Sequence, residues 1–125
     1  MDLKRLYHVP KELGEPDLLL AHENTVLIQY ERGGAKRHSG IQFEGIAAFQ
    51  VRALRCIKPW QRETYYEIVE VFGDPWKEDV LKDVSDQYCG YVASKHHYAI
   101  CGSNDCYEFI ADKWKLLPEQ DGWQD

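Results

Sequence analysis

Alternation of apolar and polar side chains, the pattern of a β-strand, recurs along this chain and constrains its fold more than any other feature. In residues 24–32, Val26, Ile28 and Tyr30 share one face. The alternation over residues 40–52 is longer, and Gly45 in its middle predicts a bulge or a sharp bend. The strands predicted in this way are residues 24–32, 40–52, 63–72, 96–101 and 105–113.

One stretch has the period of a helix instead. Asp74 is a suitable N-cap, Pro75 suits a first turn, and acidic side chains follow at the positive end of the helix dipole. Apolar residues then recur at helical spacing. We therefore predict one short helix, residues 75–84, that covers the sheet and is buried through Trp76, Val80 and Leu81.

Together these elements predict a single α+β domain, mainly β, over residues 1–125. We expect a curved antiparallel sheet or half-open barrel of about five to seven strands. Several strands are apolar on both faces, so an exposed strand edge offers a route to pairing with a second copy. Prolines and a glycine predict an irregular arm over residues 1–17, and polar residues predict a frayed tail over residues 118–125.

The charge distribution bears on partners. Residues 1–62 contain ten Lys or Arg and seven Asp or Glu, whereas residues 63–125 contain five and fourteen. The net charge of −6 disfavours nucleic-acid binding. An acidic face that includes Asp79 and Asp83 would suit a basic protein partner, and a merely solubilising surface is the alternative. Short apolar runs and an N-terminus without a signal-like stretch predict a bacterial-type cytoplasmic protein with no membrane partner.

The cysteines do not form a recognisable framework. There is no CxxC pair, so we expect reduced thiols. The spacing of Cys89, Cys101 and Cys106 matches no common zinc pattern, and His96 and His97 point to opposite faces of a strand. We therefore expect no metal and no cofactor, and no nucleophile motif indicates a catalytic residue.

The closing hairpin has a register that can be worked out from its turn. Residues 102–105 are turn formers, so Cys101 should lie opposite Cys106. This register allows a cross-strand disulfide under oxidising conditions, but we expect free thiols in a cytoplasm. His97 is then diagonal to Glu108, which makes this pair our candidate polar site, with a structural ion pair as the alternative. The other face is apolar and suits a core, although its tyrosines are also candidate contacts for a partner: Tyr98, Ile100, Tyr107 and Phe109.

A basic cluster surrounds Trp60. Cations beside an aromatic ring can bind an anion, and a solvated loop is the alternative. The cluster consists of Arg52, Arg55, Lys58 and Arg62.

Two segments resemble small uncharacterised bacterial proteins, including some immunity proteins of toxin systems. They are GIQFEGIAAF at residues 40–49 and HYAICGSNDCYEFIA at residues 97–111. The resemblance implies a stand-alone cytoplasmic β-rich domain that acts by stoichiometric binding, and it identifies no catalytic residue.

Two functions follow as hypotheses. The first is a non-enzymatic module that binds a protein partner. The alternative is a small enzyme or small-molecule binder with a polar pocket inside the curved sheet, using His97 with Glu44, Glu67 or Glu108. A cavity of several hundred Å³ with convergent polar groups would favour the alternative.

Overall fold

The computed structural model describes residues 1–9, 16–22, 24–32, 37–102 and 104–121. Within these ranges the chain forms nine strands and two α-helices, which confirms the predicted α+β, mainly β class. The strands are β1 (Asp2–His8), β2 (Pro16–His22), β3 (Thr25–Arg32), β4 (Arg37–Glu44), β5 (Ala48–Ala53), β6 (Glu67–Phe72), β7 (His96–Cys101), β8 (Asp105–Ala111) and β9 (Lys113–Asp121). The helices are α1 (Trp76–Asp83) and α2 (Asp86–Ala93), and short 3-10 helices cover Leu54–Cys56 and Pro59–Glu63.

The strands form two antiparallel sheets rather than one sheet of five to seven strands. The five-stranded sheet has the order β1-β6-β7-β8-β5, and the four-stranded sheet has the order β2-β3-β4-β9. The long strand predicted over residues 40–52 is in fact two strands in different sheets. Gly45 lies between them with φ +66°, a conformation that suits glycine and lets the chain leave one sheet for the other.

The main core lies between the two sheets. Ile28 and Phe43 of the four-stranded sheet pack against Ile100 and Phe109 of the five-stranded sheet. The rings of Phe43 and Phe109 are stacked with their centroids 4.0 Å apart. The apolar residues of facing strands therefore form one core that the two sheets share.

The predicted irregular arm and frayed tail are wrong where the structure describes them. Asp2 pairs with Phe72 at the start of β1, and β2 begins at Pro16. At the other end, Asp121 of β9 pairs with Arg37. Backbone hydrogen bonds to a neighbouring strand stabilise these segments, and such bonds do not depend on side-chain alternation. Residues 10–15 and 122–125 lie outside the described residues.

The predicted helix is present as α1, and the carboxylate of Asp74 accepts the Trp76 backbone N–H at 3.0 Å. However, α1 contains no fully buried residue, and its predicted apolar stripe is half-buried. Helix α2 was not predicted, because Gly90 in its sequence weakens a helix interior. In the structure, Val92 is the residue of α2 that is buried. Neither helix in the described ranges has the length and hydropathy that a membrane crossing requires.

The register of the closing hairpin is as predicted. Cys101 lies opposite Cys106, and Tyr98 lies opposite Phe109. The expectation of free thiols is wrong for this pair, because the structure joins Cys101 and Cys106 in a disulfide. The register that places the two residues directly opposite one another also brings their sulfurs together. Cys56 and Cys89 are free.

Candidate functional site

The candidate site lies on the outer face of the five-stranded sheet, opposite the main core. Here β7 and β8 present His97 and Glu108, both buried. The Pro59–Glu63 helix and α1 cover this face: Trp60 packs against Val69, Val71 and Ala99, and the Trp76 ring contacts the ring of His97. Segments distant in sequence therefore enclose a polar pair on an otherwise apolar surface.

Glu108 is the centre of the polar network and is 0% exposed. Its Oε1 lies 2.8 Å from Nε2 of His97 and accepts from the Lys58 ammonium at 3.4 Å. Its Oε2 accepts from the side-chain amides of Gln50 at 2.7 Å and Gln61 at 3.2 Å. Four donor side chains thus replace the water that a free carboxylate would bind.

Asp74 is the second carboxylate of the site. Its Oδ1 accepts the indole N–H of Trp60 at 3.0 Å. Its Oδ2 accepts from the Lys58 ammonium at 3.0 Å and from the backbone N–H of Trp76, also at 3.0 Å. Lys58 therefore connects Asp74, at the start of α1, with Glu108 in the sheet.

Both carboxylates are held in the ionised form. Burial raises the pKa of Glu108, but the His97 hydrogen bond and the Lys58 charge outweigh it and bring the pKa below its ordinary 4.5. Burial also raises the pKa of Asp74, but hydrogen bonds from the Trp76 backbone and from Lys58 and Trp60 outweigh it and bring the pKa below its ordinary 3.8. An ionised Glu108 can only accept, so Nε2 of His97 carries a proton. In a neutral imidazole, Nδ1 then holds the lone pair.

His97 itself is 4% exposed and borders a cavity of about 450 Å³. The rings of Trp60 and Trp76 meet its ring edge-on, with centroid distances of 6.0 and 5.1 Å. Among the described residues, no hydrogen-bond partner contacts its Nδ1. The other residues that line the cavity are residues 71–75, Lys77 and Glu78.

The donor set also resembles a metal centre. Potential ligand atoms of Asp74, His97 and Glu108 all lie within 4.8 Å of one another. Nitrogen and carboxylate oxygen ligands would suit zinc or another divalent ion. However, the Lys58 ammonium bridges the two carboxylates and supplies the positive charge that a metal would bring. We therefore describe the cluster as an ion-pair network with its own internal cation.

The structure brings together one predicted pair and separates the other candidates. The contact between His97 and Glu108 is present as predicted. Tyr98 and Tyr107 are only 5% and 7% exposed, so their assignment as contacts for a partner is wrong. Both side chains face the four-stranded sheet and are buried in the main core.

The predicted acidic contacts lie apart from the pair. Asp79 and Asp83 are exposed on α1, where Asp79 forms an exposed ion pair with Lys82.

The basic cluster does not act as one anion site. Lys58 turns toward two carboxylates, which removes it from the surface set. The guanidinium of Arg52 donates to the carbonyl of Cys56, and Arg55 and Arg62 are exposed. A side chain that can reach buried carboxylates pairs with them in preference to a dilute external anion.

The two other carboxylates proposed for a pocket form separate pairs. Glu44 binds Lys113 and Lys115, each at 3.2 Å, and hydrogen bonds from these lysines lower its pKa. Glu67 lies 2.9 Å from Nδ1 of His8.

Sequence reasoning missed most of the network around Glu108. Gln61 and Lys58 are 47 and 50 residues away from it, so no local spacing indicated the contact. Asp74 was predicted only as a helix cap. The one available signal was a carboxylate within an apolar strand, which had to find buried donors somewhere in the fold.

Comparison of the chain with protein-family models, curated proteins and solved structures finds no match. The chemistry of the site is therefore inferred from its own residues.

Proposed function

We propose that this protein binds a small molecule in the cavity beside His97 and that His97 is the residue that recognises it. One observation carries this proposal: one ring nitrogen of a buried histidine is held by Glu108, while the other has no partner among the described residues and the ring borders a 450 Å³ cavity. Cavities of this size accommodate small ligands, and polar groups that converge on them provide specificity.

A purely structural ion pair explains only part of this arrangement. It accounts for Lys58, Asp74 and Glu108, whose hydrogen bonds are made within the protein. It does not involve Nδ1 of His97, which has no protein partner among the described residues and is open to the cavity, since the buried side-chain nitrogen that lacks a partner in that part of the chain is Nε of Arg52. A bound molecule would supply a partner for Nδ1 from the cavity.

The lining of the cavity favours binding over covalent catalysis. A carboxylate that orients a histidine is also the arrangement of a general base. Among the described residues that line this cavity, however, none carries a hydroxyl or thiol nucleophile. The proposed role of His97 is therefore to accept a hydrogen bond from the bound molecule or to donate one to it. Proton transfer between His97 and that molecule is the one chemical step that this arrangement would support.

A fragment screen followed by NMR tests the proposal. We expect some fragments to shift the backbone amide resonances of Val71, Gly73 and Lys77 in the wild-type protein. His97→Gln should abolish these shifts, whereas His96→Gln should retain them because His96 is exposed and pairs instead with Glu70. The proposal fails if no fragment shifts these amides, or if His97→Gln binds the same fragments with unchanged affinity while its spectrum shows an intact fold.

A second candidate function is docking of a basic protein on the helices. The specific observation is that Tyr88 and Tyr91 of α2 are about half exposed. The neighbouring helix α1 exposes Asp79 and Asp83. Exposed tyrosines are typical of recognition surfaces, and the exposed carboxylates of α1, of which Asp79 pairs with Lys82, would suit a basic partner. The resemblance to immunity proteins also supports this candidate.

Charge reversal tests the docking surface. We expect a protein captured from the native host by the wild-type chain to associate more slowly with an Asp79→Lys/Asp83→Lys variant, with a flatter dependence of the rate on salt. Unchanged association kinetics over a range of salt concentrations would remove this surface from consideration.

A further inference from the structure

We propose that the free edge of β5 binds an extended peptide segment of a partner protein, with an acidic residue at the N-terminal end of that segment, and adds it to the five-stranded sheet as a sixth strand. This inference does not involve the cavity beside His97 and goes beyond the proposed function. It follows from the regularity, the exposed side chains and the charge of this edge strand.

Four strands lie at the edges of the two sheets: β1 and β5 in the five-stranded sheet, and β2 and β9 in the four-stranded sheet. Three of them are irregular, because the pairing shifts register at residues 5–7 of β1, at residues 16–18 of β2 and at residues 117–120 of β9. Such bulges are one way in which proteins protect an edge from further pairing. The pairing of β5 with β8 has no such shift, so β5 is the regular edge among the described strands.

The backbone of β5 offers hydrogen bonds to a further strand. The N–H of Leu54 donates to the carbonyl of Asn104 at 3.0 Å and continues the ladder between β5 and β8. Because alternate residues of an antiparallel strand bond to the same neighbour, the even-numbered residues of β5 bond to β8. The backbone N–H and C=O groups of Phe49 and Val51 therefore point outward, where no described strand pairs with them.

Exposed apolar side chains accompany these outward backbone groups. Phe49 lies opposite Phe109 and Val51 lies opposite Tyr107, so both are on the core face of the sheet. At the edge of that face, Phe49 remains 41% and Val51 43% exposed. Apolar side chains of an added strand would lie beside both residues and reduce this exposure.

The charge at the end of β5 indicates the kind of segment. Arg52 and Arg55 have no ion-pair partner among the described residues, and residues 48–62 include no acidic residue. On β8, Asp105 contributes one negative charge, while Glu108 is compensated within its own network. A net positive charge therefore remains at this edge, and an acidic side chain of the added strand would compensate it.

The pairing of β5 specifies the order of residues in the segment. The strand pairs of this sheet are antiparallel, so we expect the segment to run opposite to β5. Directly opposite residues share a face, and Arg52 lies on the other face from Phe49 and Val51. From its N-terminus, the segment then has an acidic residue opposite Arg52, directly followed by an apolar residue opposite Val51. After one residue of any type comes an apolar residue opposite Phe49.

A second copy of this chain fits the edge less well. Two β5 strands of six residues would share at most six residue pairs, whereas stable interfaces contain about 20–30 residues per partner. A second β5 would also bring its own arginine and no acidic residue. A short extended peptide does not need a larger area, because main-chain hydrogen bonds to the sheet edge supply affinity.

Two peptides of the same composition test the assignment. The first has the order Thr-Glu-Val-Thr-Val-Thr, the second is its reverse, and both have blocked ends. Each is titrated near neutral pH, while the backbone amide resonances of Phe49 and Val51 are followed by NMR. We expect the first peptide to shift these resonances and to bind about two- to fivefold more tightly than its reverse, the range for an exposed ion pair.

Three variants separate pairing at the edge from a general effect of charge. Val51→Pro removes an outward N–H without removing a bond to β8, and it should abolish binding. Arg52→Gln should weaken the first peptide to the affinity of its reverse. Lys4→Gln removes one positive charge from β1, at the other edge of the same sheet, and should leave both affinities unchanged.

Each outcome supports or overturns the inference. Equal binding of the peptide and its reverse overturns the order of residues, and equal weakening by Arg52→Gln and Lys4→Gln overturns the charge assignment. If neither peptide shifts the amides of the wild-type protein, or if Val51→Pro binds with wild-type affinity while its spectrum shows an intact fold, the edge is not a docking site. Sedimentation of the wild type as a dimer and of Val51→Pro as a monomer would show that a second copy occupies the edge instead.

Discussion

Replacement of Glu108 by Gln should destabilise the protein strongly even though the side chain keeps its size. Glu108 is fully buried and accepts from four side chains, two at each oxygen. A glutamine offers one oxygen and one NH₂ group. Whichever way the new amide is turned, its NH₂ group faces donors where an acceptor stood before.

In either orientation of the new amide, the surrounding side chains lose at least one hydrogen bond. If the NH₂ group faces His97 and Lys58, the histidine can change its tautomer, but the Lys58 ammonium has no acceptor to offer. If the NH₂ group faces Gln50 and Gln61, their amides must turn over. Gln61 would then lose the bond in which its Oε1 accepts the Lys58 backbone N–H at 2.7 Å.

The expected loss is about 3–5 kcal/mol, the range for removing one partner of a buried ion pair. Whole domains have free energies of unfolding of about 5–15 kcal/mol, so this is a large fraction of the total. For a chain of this length each kcal/mol lowers the melting temperature by about 3 °C, which predicts a decrease of about 10 °C or more.

Thermal and urea unfolding, followed by tryptophan fluorescence and circular dichroism, measure this change. Glu44→Gln is the matched control, because it removes the same charge from a half-buried carboxylate whose partners Lys113 and Lys115 are exposed to solvent, and it should shift the melting temperature much less. A melting temperature of Glu108→Gln within about 2 °C of the wild type would show that the network contributes no net stability, and the reasoning above would be refuted.

Three further predictions concern neighbouring groups. The pKa of Asp74 is lower in the folded state than its ordinary 3.8, so ionised Asp74 stabilises the folded protein above that pH, and this stabilisation is lost as the pH falls through the folded-state value. The difference in melting temperature between wild type and Asp74→Asn should therefore shrink on acidification from pH 7 to about 3. A constant difference would contradict this assignment. Lys58→Met removes the internal cation, so Zn²⁺ should raise the melting temperature of this variant but not that of the wild type or of Lys95→Met, and a wild-type response equal to the variant's would show that Lys58 does not block the ion. Leu81→Ala should cost about 1–2 kcal/mol because Leu81 is half-buried, while the exposed Lys82→Ala should be nearly silent; equal melting shifts would refute the assigned face of α1.

Local chemistry was enough to predict some elements from the sequence. The register of the closing hairpin followed from the turn formers between Cys101 and Cys106, and alternation then placed His97 beside Glu108. Helix α1 followed from Asp74 and the helical spacing of its apolar residues. In each case the interacting residues are close in sequence or joined by a short turn, so residue type and spacing determine the geometry.

Elements that depend on distant segments were not predictable in the same way. Strand β1 and the end of β9 are stabilised by backbone pairing with β6 and β4. The order of apolar and polar residues in these segments did not predict that pairing. Alternation likewise shows that Tyr98 and Tyr107 share a face, but only the packing of the second sheet shows that this face is buried.

The site itself shows where sequence information ends. Sequence alone determined that a carboxylate and a histidine would meet on one face of a hairpin. Only the tertiary structure decided that Lys58 and Asp74 would join them and that a cavity would remain beside His97. The physical reason is that a buried charge must be compensated by whichever side chains the fold brings within reach, and these side chains come from segments whose sequence separation carries no signal.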